Sequence, residues 1–509
     1  MNAVGHTPSP EFSVAMTDDL HASLLRHLRQ HGEDQEDLTF AVWRPSRGKR
    51  RLTAIVQRLV LPTETERVLH GNVAFTADYL LRALAALGPN EGLALAHNHF
   101  GPGWQDMSLD DVEAEENRLA GPAFGRTGLP VVGLTSGSDG SWSARAWNRV
   151  GPSRFERQSA KSVRVVGLGI GWTFHPALHP IPPQQASQIA TISVWGDRAQ
   201  ADLARARLGV VGLGSVGSLV CESLARVGAR DLTLIDHDRI ELRNLDRTAG
   251  AVVADAAHRR KKTTVAARTA RTAATAPDLT VSSQALRVDT PAGLAHALDC
   301  DLLFCCVDRP WPRHLLNSLA YAHLIPVVDG GILAAVAGDR LLHADWRIHT
   351  VGHGRACMVC LGSLEQEDIA LDMAGKFDEP DYIRNLPPER AAVISRRNVF
   401  PFSMSVAAHE VIQGIGCITS TPRLGATAPQ FYHCYPGIME TLDISDCRPD
   451  CPYLELTASG ADLSGNLLLD ARPGRGGSAS APRRASLAPQ RMVASTPVSS
   501  WERGDRGWS

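Results

Sequence analysis

Val210-Val211-Gly212-Leu213-Gly214-Ser215-Val216-Gly217 joins an apolar run, Leu208 to Leu213, to a segment of helical apolar spacing that stops at Gly228. A strand that enters a glycine turn and leaves as a helix is the unit in which main chain meets phosphate. The glycines let the backbone approach, and the helix N-terminus offers free N–H groups and the positive end of its dipole. Asp236 closes the next apolar run, Leu232 to Ile235, about 20 residues on, where an acidic side chain meets ribose hydroxyls. Further apolar runs, Leu302 to Val307 and Ile325 to Val328, alternate with helical patterns. That alternation predicts an α/β domain, a mostly parallel Rossmann-like sheet covered on both faces. Gly212, Gly214, Gly217 and Asp236 alone fit an NAD-dependent oxidoreductase and an ATP-using enzyme equally well.

The next residues separate the two. Asp236-His237-Asp238 leads through Asn244-Leu245-Asp246-Arg247 to a basic run containing Lys261 and Lys262, and Asp308 stands at the end of a later strand. This order closely resembles the ThiF/MoeB family, which includes ubiquitin-activating enzymes, from about Leu208 to Leu361 and less tightly to about Gln413. The resemblance implies that a foreign C-terminal carboxylate attacks the α-phosphate of ATP. Cations set on the charge that develops there favour the transition state over the ground state. By resemblance, Arg247 and one lysine contact phosphates, Asn244 positions them, and Asp308 holds Mg2+. Lys262 fits the following helix better than Lys261, but spacing leaves both open. Taken singly, Asn244 reads as a turn residue, Arg247 and Lys262 as surface charges, and Asp308 as a helix cap. Taken in order, they read as a nucleotide site.

Cys357-Met358-Val359-Cys360 is one cysteine pair, and Cys447 and Cys451 form a second with one extra residue between them. Four thiolates from two such pairs make a closed tetrahedral zinc site, and MoeB and ThiF proteins carry one. A redox-active pair is the rival reading. Cys221, Cys305 and Cys306 sit in apolar runs and read as core. Relatives can place a thioester-forming cysteine on a crossover loop; Leu361 to Asn398 contains none, which leaves Cys417 and Cys434 late in the domain.

Upstream, the strand Leu93 to Ala96 runs into His97-Asn98-His99, and Ser108-Leu109-Asp110-Asp111 follows a Gly/Pro loop. Residues two apart on a strand share a face, so both imidazoles can reach one ion. The pattern resembles the JAB/MPN (JAMM) metalloproteases. The resemblance implies Zn2+ on His97, His99 and Asp111, a glutamate that deprotonates water, and Ser108 on the oxyanion. Glu36, just before an apolar strand, is the chosen glutamate, with Glu33, Glu64 and Glu66 as rivals. The gap from His99 to Ser108 is one residue longer than the family's. Ser108 to Asp111 also reads as a helix-capping signal.

The chain has 509 residues, enough for two to four domains, with 44% hydrophobic and 21% charged residues. A net charge of -2 gives no field for nucleic acid or anionic lipid. Neither a signal peptide nor a membrane span is expected, and ten cysteines in such a chain point to a reducing, cytoplasmic setting. The expected order is a smaller α+β JAB/MPN domain over 1–151, a linker over 152–189, the adenylation domain over 190–456, and a disordered Gly/Ser/Ala/Pro/Arg tail over 457–509. Pro176 to Pro183 supplies the linker signal. Val163 to Gly171 imitates a nucleotide loop but is read as a strand with a glycine turn. The combined resemblance implies adenylation of the C-terminal glycine of a ubiquitin-like protein, with a zinc isopeptidase or processing protease acting on the same partner. A conjugating enzyme is a further expected partner, and homodimerisation is expected by analogy. Sulfur-carrier activation is the alternative within the same chemistry.

Overall fold

The computed structural model describes residues 10–32, 35–337, 340–386, 398–420, 428–442 and 446–463. All of these belong to one compact unit, Met1–Leu467. Among them, no helix is long and apolar enough to cross a membrane.

Nine strands of the N-terminal half form one mixed sheet. From edge to edge it runs Ile170–Phe174, Ser162–Val166, Glu11–Thr17, Arg51–Val60, Leu38–Arg47, Gly92–Asn98, Val131–Ser136, Trp142–Arg149 and Phe155–Ser159. The helix Ala77–Ala85 packs on this sheet, and the Thr76 hydroxyl accepts from the Tyr79 amide as its cap. Gly92 passes under Trp43, where a Cβ would lie 2.4 Å from the indole nitrogen. Among the elements without a reading in the sequence are the strand Glu11–Thr17 and the helix Asp18–Leu28, capped by Thr17.

The stretch 152–189 is not simply a linker. Phe155–Ser159 pairs with Trp142–Arg149, and Ser162–Val166 runs parallel to Glu11–Thr17 with Val14 opposite Val163. The chain then turns at Gly167 to Gly169 and returns antiparallel as Ile170–Phe174. Burial of Val163, Val166 and Ile170 is what recruits these strands to the sheet. The start of the expected tail is also ordered. Ala458 and Gly460 donate backbone hydrogen bonds to Tyr321 and Ala322 (3.0 and 2.8 Å), while residues 464–509 lie outside the described part.

In the second sheet, Thr280–Gln284, Asp231–Ile235, Arg207–Val211, Leu302–Cys305 and Val327–Ala337 are parallel neighbours in that order. Arg340–Val351, Gln430–His433 and Ile438–Thr441 continue it antiparallel. Leu208, Val210 and Phe304 of the sheet share one buried cluster with Leu224, Ala266, Val406 and Ile415 of the helices Ser215–Arg226, Lys262–Ala273 and Phe400–Thr419. Gly414 lets the last of these helices press on Phe304, whose ring would be 2.5 Å from a Cβ.

The two sheets meet along a charged seam. Asp301, just before its strand, pairs with Arg51 and with Arg164 (3.4 Å), and Asp299 accepts from the Arg50 and Arg51 amides (2.8 and 3.0 Å). Burial pushes the Asp301 carboxyl up, but Arg51 and Arg164 outweigh it and hold it down at about 2. Removing one partner of such a pair costs about 3–5 kcal/mol, because the other charge stays buried. Asp301 and Arg207 lie at strand starts, so the N-terminal sheet docks on the edge opposite the glycine turn.

Candidate nucleotide and metal sites

At the other edge, the strand Arg207–Val211 ends in Gly212, whose φ is +87° and whose Cβ, if present, would lie 2.6 Å from the Cys306 carbonyl. The turn enters the helix Ser215–Arg226 so tightly that a Cβ on Gly217 would lie 1.9 Å from the Gly212 carbonyl oxygen, whereas one on Gly214 would meet nothing within 4 Å. Two glycines therefore shape the turn, and the third leaves its outer face open. Asp236 fastens the turn to the next strand: its carboxylate accepts from the Leu213 amide (2.6 Å) and the Asp238 amide (2.7 Å).

Lys262 opens the helix Lys262–Ala273 and donates to Asp238 at 2.8 Å. Burial works against its ammonium, but Asp236, Asp238 and Asp308 outweigh it and raise its pKa above the ordinary lysine value. Lys262 thus bonds one of the two carboxylates nearest the turn and lies within electrostatic reach of the other and of Asp308. Asp308 stands exposed between the strand Leu302–Cys305 and the helix Pro310–Ala322, and the capping position of that helix belongs to Arg309. Lys261 is exposed, with its backbone bridged to Arg239. Asn244 ends the short turn Leu242–Asn244, and its amide oxygen accepts from the Glu241 amide at 2.9 Å. Arg247 follows with its guanidinium paired to Asp246 at 2.9 Å. Motif reading missed Asn398, which donates to Ser215 (2.7 Å) and Ser403 (2.8 Å) and ties the glycine-turn helix to the last long helix. It also missed Arg313, which donates to the carbonyls of Val307 (3.1 Å) and Gly330 (2.8 Å) and so fixes the loop carrying Asp308.

In the first sheet, His97 and Asn98 end the strand Gly92–Asn98, and the His99 amide still bonds the Ser136 carbonyl (2.9 Å). The Nε2 atoms of His97 and His99 lie 3.2 Å apart, and Asp111 reaches them at 3.1 and 3.3 Å. A tetrahedral zinc ion with ligands at about 2.0–2.1 Å sets its donor atoms about 3.4 Å apart. Three donors with this spacing fit three of its corners. The longer loop still delivers Asp111, because Gly103 takes a φ of +77° and Gln105 donates to the carbonyls of Gly101, Pro102 and Gly103 (2.9, 2.9 and 3.0 Å). Ser108 does cap the helix: its hydroxyl accepts from the Asp111 amide (3.1 Å), and Asp111 accepts from the Ser108 amide (2.7 Å). The turn that caps the helix is thus the same one that sets Asp111 against the two imidazoles. Burial pushes the Asp111 carboxyl up, yet hydrogen bonds to His97 and His99 leave it well below the carboxylate range.

Glu36 sits within electrostatic reach of His97, His99 and Asp111; burial, with Asp111, raises its pKa against the pull of the imidazoles. The Asp37 amide beside it donates to Asn98 (2.8 Å), so the middle residue of His-Asn-His sets the distance between the two strands. Among the rivals, Glu66 is held by Arg82 (2.6 and 2.7 Å), whose hydrogen bonds draw it down to about 2. Glu64 is exposed, and Glu33 lies outside the described residues.

Cys357, Cys360, Cys447 and Cys451 converge, with their sulfur atoms all within 4.8 Å of one another. Cys357 and Cys451 are 3.6 Å apart, close to the roughly 3.8 Å edge of a zinc–thiolate tetrahedron. Backbone amides of Cys357, Cys360 and Arg448 donate to the sulfurs of Cys447, Cys357 and Cys360 (3.1, 3.3 and 3.4 Å), bonds that favour thiolates. Cys221, Cys305 and Cys417 are buried, and Cys434 is exposed.

Residues 185–392 match the model of the ThiF family. The molybdopterin-synthase adenylyltransferase of Escherichia coli (strain K12) is 28% identical over 171 residues, 33% of this chain and 64% of that one. The adenylyltransferase and sulfurtransferase UBA4 of Yarrowia lipolytica is 30% identical over 139 residues, 27% of this chain and 34% of that one. The chain thus spans less than two thirds of the length of either relative. Among solved structures, E. coli MccB with MccA aligns at 20% identity and a TM-score of 0.40, covering 50% of this chain and 68% of that one. Residues 185–392, which hold the glycine turn, Asp236, Lys262 and Asp308, are a ThiF-family domain.

Proposed function

We propose that the chain adenylates the C-terminal glycine of a small ubiquitin-like protein and that its N-terminal half hydrolyses a bond at the same terminus. The observation that carries the first half is Lys262 at its helix start, bonded to Asp238 (2.8 Å) and within reach of Asp236 and Asp308, next to a glycine turn that Asp236 fastens and Gly214 leaves open. A nicotinamide enzyme needs the ribose-binding acid but has no triphosphate for the lysine to neutralise. In the reaction, a carboxylate oxygen attacks the α-phosphorus, the bond to the β-phosphate bridging oxygen breaks, and an acyl-adenylate and pyrophosphate result. The backbone amides of Gly212 to Gly217 cradle phosphate oxygens, Asp236 binds the ribose, and Asn244 and Arg247 orient the triphosphate. Lys262 follows the charge onto the leaving pyrophosphate. Asp308 would hold Mg2+, which neutralises phosphate charge.

In the N-terminal site, zinc held by His97, His99 and Asp111 would polarise a carbonyl and acidify water. Glu36 takes the proton from that water and passes it to the departing amine. Ser108 keeps a hydroxyl proton to donate to the oxyanion. Zinc on the four cysteines would be structural, since no position stays open on it. A conjugating enzyme as the next acceptor, a homodimer and a reducing cytoplasm belong to the same reading. Sulfur-carrier activation shares the adenylation step, and the names of the two relatives favour keeping it as the second reading.

The test is exchange of labelled pyrophosphate into ATP, with and without a ubiquitin-like protein ending in glycine. Exchange that depends on that protein is expected; its absence, or nicotinamide retained by the purified chain, overturns the reading. Mass spectrometry of the partner then separates an added adenylate from a shortened terminus, and thiocarboxylate formation would favour sulfur transfer.

A further inference from the structure

Behind the His97–His99–Asp111 triad lies a buried ion pair to which the hydrolytic reading gives no role. After Asp111 the chain winds as a π-helix, Glu113–Ala120, a geometry that recurs at functional sites. Glu115 follows Asp111 by one turn and is 0% exposed. Its carboxylate accepts from Arg145 through both Nε (2.9 Å) and Nη2, and from the indole of Trp147 (2.7 Å). Arg145, 3% exposed, donates its remaining Nη1 to the Thr135 hydroxyl at 2.6 Å. Thr135 lies beside His97 in the strand register, with its oxygen 3.4 Å from His97 Nε2. Gly133 makes room for the pair: a Cβ there would lie 2.3 Å from Glu115 and 2.4 Å from Arg145.

A buried guanidinium so close to a dication repels it unless a carboxylate cancels the charge. We infer that the Glu115–Arg145 pair is the charge-balancing support of the metal site: Glu115 neutralises the guanidinium and so sets the site's affinity for a divalent cation. The inference rests on the reading that the triad holds a metal. Glu115 and Arg145 are positioning residues, since neither touches the ion or the reacting atoms.

The test uses the full chain stripped of metal and titrated with Co2+, with Zn2+ affinity then measured by chelator competition. The nitrogen–oxygen site is followed apart from the cysteine site, which alone gives thiolate-to-cobalt charge-transfer absorption. Wild type is expected to bind one more Co2+ than His97→Ala. Glu115→Gln should weaken that site about 10–100-fold, leaving the cysteine site unchanged. The double variant Glu115→Gln with Arg145→Met, which removes the charge along with its partner, should regain most of the loss. Unchanged affinity in Glu115→Gln overturns the inference, and so does a double variant no better than the single, which would mean packing rather than charge. Equal Co2+ uptake by wild type and His97→Ala would remove the triad as a metal site altogether, and the inference with it.

Discussion

Replacing Gly217 by alanine should collapse the nucleotide site through one contact. The added Cβ would lie 1.9 Å from the Gly212 carbonyl oxygen. Ordinary carbon–oxygen contacts begin near about 3.3 Å, so the turn and the helix must part by more than about 1 Å. Both atoms are held by the backbone, and no rotamer change relieves the clash. Overpacking of a fixed site costs about 1–3 kcal/mol, and the upper end applies here. At about 2–4 °C per kcal/mol, the melting temperature should fall by about 6–12 °C. The displaced turn should also lose the 2.6 Å bond from the Leu213 amide to Asp236, and ATP affinity with it. Gly214→Ala is the matched control: its Cβ meets nothing within 4 Å, so stability should hold to within about 0.5 kcal/mol. ATP should nonetheless bind more weakly, because the methyl occupies the open face of the turn. Thermal unfolding with and without Mg-ATP reads both effects. A Gly217→Ala protein that melts with wild type and gains as much from ATP would refute the steric reasoning.

Lys262→Ala should slow partner-dependent pyrophosphate exchange by about 10²–10³-fold, whereas Lys261→Ala, which removes an exposed side chain, should change it little; equal losses would show that burial does not distinguish the two. The purified chain should carry zinc that Cys451→Ser releases, measured by metal analysis and a chromophoric chelator, with thermal stability falling as the metal leaves. His323 is buried against Ser46 and the Ala461 carbonyl (2.8 and 3.0 Å), and burial pulls its pKa down to about 4 from the ordinary histidine value of 6.5. Between those values the unfolded chain binds the proton and the folded chain does not, so stability is full above about pH 6.5 and is lost on acidification. At pH 5 the loss from this residue is about 2 kcal/mol. Urea unfolding at pH 7 and pH 5 should show it, and His323→Asn should flatten the dependence.

The nucleotide turn was legible because its signals are local: an apolar run, three glycines, a helix and an acid at the end of the next strand all fall within a few dozen residues. The choice between Lys261 and Lys262 was not, since spacing alone cannot tell which side chain faces Asp238. Val163 to Gly171 was legible as a strand with a glycine turn, but its place in the sheet was not, because its partner, Glu11–Thr17, comes from the far end of the same half and pairing at that distance leaves no local signal. His97, His99 and Asp111 could be picked out by residue type. Thr135, Arg145 and Glu115 could not, because an ordinary threonine and two ordinary charges become neighbours of the triad only through sheet register. The packed segment Ala458 to Ala461 was masked by its small residues, since it is held chiefly by its backbone.

That segment crosses the seam. Gln57 and Arg44 of the first sheet donate to the carbonyls of Ala458 and Ser459, while Tyr321 and Ala322 of the second half accept from Ala458 and Gly460. A chain cut between Pro176 and Pro183 would therefore strand Arg164 on one fragment and Asp301 on the other, each deprived of its counter-charge. Dissecting this molecule into two stand-alone enzymes at its most inviting sequence boundary should give two insoluble pieces, and co-expression of both should rescue them.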